Sequence, residues 1–140
     1  MLKYLLLCCP VVPMACQRQV SSPALEGRWE EQQILEAIYS REGTLRARKR
    51  SLPTASSFAT LTITKDALVY HFRGDSAYTV VQPYSRYGDT LRVVADGEKQ
   101  NPIITTIKLL SAHQLVLHLT QPHSPDSSYD YSEYDTFLKR

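Results

Sequence analysis

Phe58-Ala59-Thr60-Leu61-Thr62-Ile63-Thr64-Lys65-Asp66-Ala67-Leu68-Val69-Tyr70-His71-Phe72-Arg73 decides the fold. Successive side chains in a strand point to opposite faces, so Leu61 and Ile63 share one side while Thr60, Thr62 and Thr64 take the other. After the turn residues Lys65 and Asp66 the alternation resumes: Leu68, Tyr70 and Phe72 form an apolar row, with His71 and Arg73 opposite. This is the pattern of a β-hairpin with one dry and one wet face.

The same reading extends along the chain. Residues 25–39, 58–65, 68–73, 77–84, 90–95, 103–110, 114–121 and 129–139 read as eight strands, only the first and last of them long. Arg73-Gly74-Asp75, Tyr87-Gly88-Asp89, Asp96-Gly97 and Ser111-Ala112-His113 supply turns between them. A succession of hairpins gives an all-β, antiparallel up-and-down arrangement, and eight strands suffice to close it into a barrel that hides its edges. An open or partly open antiparallel meander is the alternative. Tyr78 with Val80, Leu91 with Val93, Ile107 with Leu109, and Leu115, Leu117 and Leu119 are further apolar rows expected in the core. His71 and His118 lie opposite such rows and are expected to face water. Residues 40–57 form a long connection holding Arg46-Ala47-Arg48-Lys49-Arg50, expected to be a helical turn or a flap, and residues 122–128 a plain polar loop.

The 140 residues, 43% hydrophobic and 21% charged, suit one folded domain. A formal charge of +2 gives no reason to expect nucleic acid as a partner, because domains that bind it carry a strongly basic face. His71, His113, His118 and His123 show no metal-ligand spacing, and the acidic stretch with Asp130, Glu133 and Asp135 lacks the glycine-bearing loop of a calcium site. Catalysis would call for a nucleophile with a base, paired carboxylates in an apolar site or a Gly-rich phosphate loop, and no such pattern is found. A non-catalytic protein without cofactor or metal is expected.

All three cysteines, Cys8, Cys9 and Cys16, fall at the N-terminus, so the body has no thiol and no disulfide. Lys3 gives a positive start, and residues 4–15 are uncharged and mostly apolar, which reads as a signal peptide. The run is shorter than the roughly 20 residues of a spanning helix, and Pro10 and Pro13 interrupt it. Pro13-Met14-Ala15-Cys16 resembles the lipobox of bacterial lipoproteins, in which a small residue precedes the cysteine that is diacylated. The resemblance implies a signal peptide over 1–15 and a membrane anchor through lipid on Cys16. Residues 16–24, polar and without acidic side chains from Gln17 to Pro23, would then tether the domain of 25–140. The alternative is ordinary cleavage that leaves Cys16 a free thiol. The expected address is the bacterial cell envelope, at the outer membrane and facing the periplasm.

Leu25-Glu26-Gly27-Arg28-Trp29 opens the first strand, and its Gly-x-Trp resembles the start of lipocalins and lipocalin-like bacterial lipoproteins. Tyr78-Thr79-Val80, Gly88-Asp89-Thr90-Leu91, Ile107 with Leu109, Leu115-Val116-Leu117 and the closing Phe137-Leu138-Lys139-Arg140 follow in the order of that family. The resemblance implies a barrel plugged at one end by Trp29 next to Gly27, with Arg140 or Lys139 lying across the indole. It also implies a small apolar or amphipathic ligand in a pocket lined by Trp29, Tyr70, Phe72, Tyr78 and Leu117. The alternative is a barrel filled by its own side chains, a structural or interaction protein of the envelope that meets a protein partner through the basic residues 46–50.

Overall fold

The alternating hairpin of the sequence is the centre of the sheet in the computed structural model, which describes residues 23–54, 57–73, 78–94, 102–122 and 131–140. The expected leader, Cys16, most of the tether and the turns at Gly74-Asp75 and Asp96-Gly97 lie outside the described residues. Strand β3 (Phe58–Ile63) turns through Thr64-Lys65-Asp66 into β4 (Ala67–Phe72). The Thr64 hydroxyl accepts from the Ala67 backbone N–H at 3.0 Å and donates to Asp66 Oδ1 at 3.1 Å, so the turn is closed by its own side chains.

Antiparallel pairing then runs through β5 (Thr79–Tyr87), β6 (Thr90–Val93), β7 (Ile103–Leu110), β8 (Gln114–Pro122) and β9 (Tyr131–Lys139). Gly88, at φ 60, makes the two-residue turn between β5 and β6, where a side chain would strain the backbone. The first strand, β1 (Gly27–Tyr39), pairs with β3 on one edge and with β9 on the other, and this closes an eight-stranded up-and-down barrel. The open meander is thereby excluded.

A ninth strand replaces the expected flap. Residues 45–51 form β2 (Leu45–Ser51), antiparallel to the second half of β1 from Ile34↔Ser51 to Tyr39↔Leu45. The cause lies in β1, whose pairing with β3 covers only Gly27 to Glu30 and leaves the rest of that edge needing partners for its backbone groups. A hairpin with Gly43 at φ 78 brings β2 back to supply them. Its arginines stand in solvent and play no part in a core, so their alternation carried no apolar signal.

Trp29, Leu61, Leu91 and Leu115 are completely buried, with Ile63, Leu68, Val93, Ile107, Leu117 and Leu138 packed against them. Leu109 departs from its expected row: it is 44% exposed. A bulge between Ile107 and Leu109 shifts the register of β7 on β8, so Leu109 pairs with Val116 and turns outward. Tyr78 also departs, at 56% exposed, because it stands just beyond the last β4–β5 pair, His71↔Thr79.

Candidate functional site

One end of the barrel is sealed. Gly27, at φ 139, lets the chain turn under the barrel so that the Trp29 indole Nε1 donates to the Leu25 carbonyl at 3.0 Å. The Arg140 guanidinium lies 4.3 Å from the Trp29 ring centroid and donates to the carbonyls of Ala24 and Glu26. A Cβ on Gly27 would stand 2.7 Å from Arg140 Nη2, so the glycine leaves the space that the guanidinium takes.

The other end carries an aromatic ladder. Half-buried Tyr70 meets Phe58 edge-on at 5.2 Å, Phe58 meets Phe72 at 6.4 Å, and Phe72 stacks flat on exposed Tyr78 at 4.5 Å. Strand pairing makes the ladder, since Phe58 stands opposite Phe72 and the Phe72 N–H bonds the Tyr78 carbonyl at 3.0 Å. Beneath it lies an interior cavity of about 90 Å³ lined by Phe58, Leu61, Tyr70, Leu117, Leu119 and Thr136 among others. Burial pushes the Tyr70 hydroxyl up to about 12.

Tyr70 and Leu117 thus meet in one cavity, Phe72 and Tyr78 lie on its outward side, and Trp29 belongs to the sealed end and does not line it. Tyr78 is corrected from a wall residue to a surface ring stacked on Phe72. Phe58 is missing from the lining expected from sequence, although it opens the strand that decides the fold.

The inward face is less apolar than the rows suggested. Glu36 accepts from Ser132 Oγ at 3.2 Å and from Tyr134 Oη at 3.1 Å, and Lys49 stands 3.9 Å from its second oxygen. Glu31 is 6% exposed and burial raises its carboxyl above the ordinary value. Alternation puts Glu31 on the side of Trp29, which was the signal available in sequence.

On the outer face, Asp135 receives His118 Nδ1 at 2.7 Å and Lys108 Nζ at 2.8 Å. Partial burial pushes the Asp135 carboxyl up, but the hydrogen bonds and charges of Lys108 and His118 outweigh it and hold it below the usual carboxylate range. His71 is placed likewise, outward but in contact with Thr62 Oγ1 at 3.2 Å and Thr79 Oγ1 at 3.4 Å. Both histidines are therefore half-buried and bonded to neighbouring side chains instead of standing free in water. Arg48 and Arg50 border a shallow groove of about 440 Å³ with Leu35, Tyr39, Glu133 and Asp135. Among the described residues no three His, Cys, Asp or Glu side chains gather as metal ligands.

Comparisons with protein-family models and with curated proteins give no match. Among solved structures the chain is similar to a bovine odorant binding protein, a deswapped triple mutant, with a TM-score of 0.46 and 17% identity over 81% of this chain and 72% of that one.

Proposed function

We propose that the chain is a lipid-anchored envelope protein whose barrel binds one small apolar or amphipathic molecule, admitted at the aromatic end and excluded from the Trp29 end. The observation that supports this reading is the ladder from exposed Tyr78 to half-buried Tyr70, which leads directly onto the interior cavity. The exposed Tyr78 ring, stacked on half-buried Phe72, gives an apolar molecule an aromatic surface to pack on at the rim. Binding is non-catalytic in this reading and takes place at the outer membrane on the periplasmic side, with Cys16 as the lipid site. Native mass spectrometry of the protein purified gently from its host tests the ligand. A co-purifying small molecule that is lost on Leu117→Trp, which fills the cavity, is the expected result. Its absence from both proteins overturns the reading. Cys16→Ser is expected to release the body to the soluble fraction, and retention on the membrane overturns the anchor.

A second reading is favoured by the cavity volume, since 90 Å³ is far below the roughly 300 Å³ at which ligand pockets begin. In this reading the barrel is filled, and β2 presents Arg46, Arg48 and Arg50 to an envelope partner. Replacing Arg46, Arg48, Lys49 and Arg50 with Ser then abolishes partner capture in a pull-down at unchanged thermal stability. Retained capture removes the basic strand from the argument.

A further inference from the structure

Strand β1 is shared along one edge by two partners, and its pairing passes from Glu30↔Thr60 with β3 to Ile34↔Ser51 with β2. Between these pairs neither strand bonds β1. A pocket of about 520 Å³ opens there, with Glu31, Gln32, Pro53, Thr54, Phe58 and Arg73 among its walls. Among the described residues it shares only Phe58 with the interior cavity.

Glu31 sets this pocket apart. The residue is 6% exposed, and among the described residues no donor reaches its buried Oε2. An unsatisfied buried acceptor costs on the order of 1–3 kcal/mol, more when charged. Inward carboxylates are not left wanting elsewhere in this barrel, for Glu36 has two hydroxyl donors and a lysine nearby. Arg73 borders the same pocket but is exposed and donates nothing to Glu31. The pocket therefore has in its wall a buried carboxylate beside the apolar surface of Phe58 and Pro53, and among the described residues the cation that borders it, Arg73, is not bonded to that carboxylate. An ammonium supplies both the charge and up to three N–H groups. An anion would be repelled by the carboxylate, and a neutral hydroxyl would leave its charge uncompensated.

We propose that this pocket binds a primary amine carried on a small apolar body, with the ammonium donating to the Glu31 carboxylate and the body packed on Phe58 and Pro53. The site goes beyond the interior-ligand reading and does not rest on it. The test is calorimetric titration of the full-length protein near neutral pH with 2-phenylethylamine, and with 3-phenylpropionate as the ligand of similar size and opposite charge. One equivalent of the amine is expected to bind, the propionate is not, and Glu31→Gln is expected to weaken the amine at least about tenfold. Amine affinity unchanged in Glu31→Gln, no amine binding, or equal binding of the propionate each overturns the proposal. Should Glu31→Gln fail to fold, the carboxyl carbon resonance of Glu31 in the wild-type protein answers the same question, moving with the amine if the site is right and staying put if it is wrong. Leu117→Trp leaves this pocket untouched, so amine binding should survive it; the fate of any interior ligand in that variant is read separately.

Discussion

The Arg140 guanidinium sits 4.3 Å from the Trp29 ring centroid, joining the last residue of the chain to the first turn of the first strand. The contact is made within a bonded frame, since the same guanidinium holds the carbonyls of Ala24 and Glu26 and the indole holds that of Leu25. Cation–π attraction, charge-assisted hydrogen bonds and a glycine that leaves room for them therefore act at one point, where β1 and β9 must stay together for the barrel to remain closed.

Arg140→Ala is expected to destabilise the barrel by about 1–2 kcal/mol, the lower part of the combined range because the guanidinium is partly in water. Gly27→Ala is expected to cost about 1–3 kcal/mol, because φ 139 is strained for any side chain and the new Cβ displaces Arg140. Urea denaturation of both variants and the double variant checks this. The double variant should lose less than the sum, because removing Arg140 removes what the Cβ collides with. Additive losses would mean that the glycine acts through backbone strain alone.

Glu31 makes stability fall as pH rises. Its folded pKa is raised by burial above the unfolded value of 4.5, so the folded state holds the proton more tightly, and stability declines from about that pH up through the raised value. Glu31→Gln should abolish this decline and be more stable than wild type at neutral pH by about 1 kcal/mol. Denaturant midpoints across the acid to neutral range measure it. A wild type and variant of equal slope would show the carboxyl to be solvated.

Asp135 acts in the opposite sense. Its pKa is lowered below 3.8 by the bonds from Lys108 and His118, so its contribution is present above the unfolded value and is lost as pH falls through the folded one. Asp135→Asn is expected to cost up to about 1 kcal/mol at neutral pH, modest because the carboxylate remains partly in water. The deficit should close in strong acid, where wild-type Asp135 also becomes neutral. Melting curves of the two proteins across that range decide it.

Much of the barrel was legible because inward apolar rows need only a period of two: Leu61 with Ile63, Leu91 with Val93 and Leu115 with Leu117 all point where alternation puts them. What escaped was whatever is decided by backbone pairing. Strand β2 exists to satisfy the free edge of β1, a demand visible only once β3 is known to stop at Glu30. Of the aromatic end, Tyr70 and Leu117 could be read as inward, but Phe58 joins them only through its register opposite Phe72. Glu31 was hidden by the habit of placing charge outside, against the alternation that aligns it with Trp29.

The bulge in β7 offers the sharpest check on register, because it makes two leucines on paired strands behave differently. Simple alternation puts Leu109 with Ile107 on the inward face, whereas the shift between them sends Leu109 outward, 44% exposed, while Leu115 is fully buried one pair along the β7–β8 ladder. Leu109→Ser should therefore cost under about 1 kcal/mol, since little apolar area leaves a dry site. Leu115→Ser should cost about 3–5 kcal/mol, from the lost burial, the cavity left behind and a hydroxyl placed in an apolar core. Thermal unfolding of the pair reads the difference directly. Equal and large losses would put Leu109 back in the core and remove the bulge from the fold.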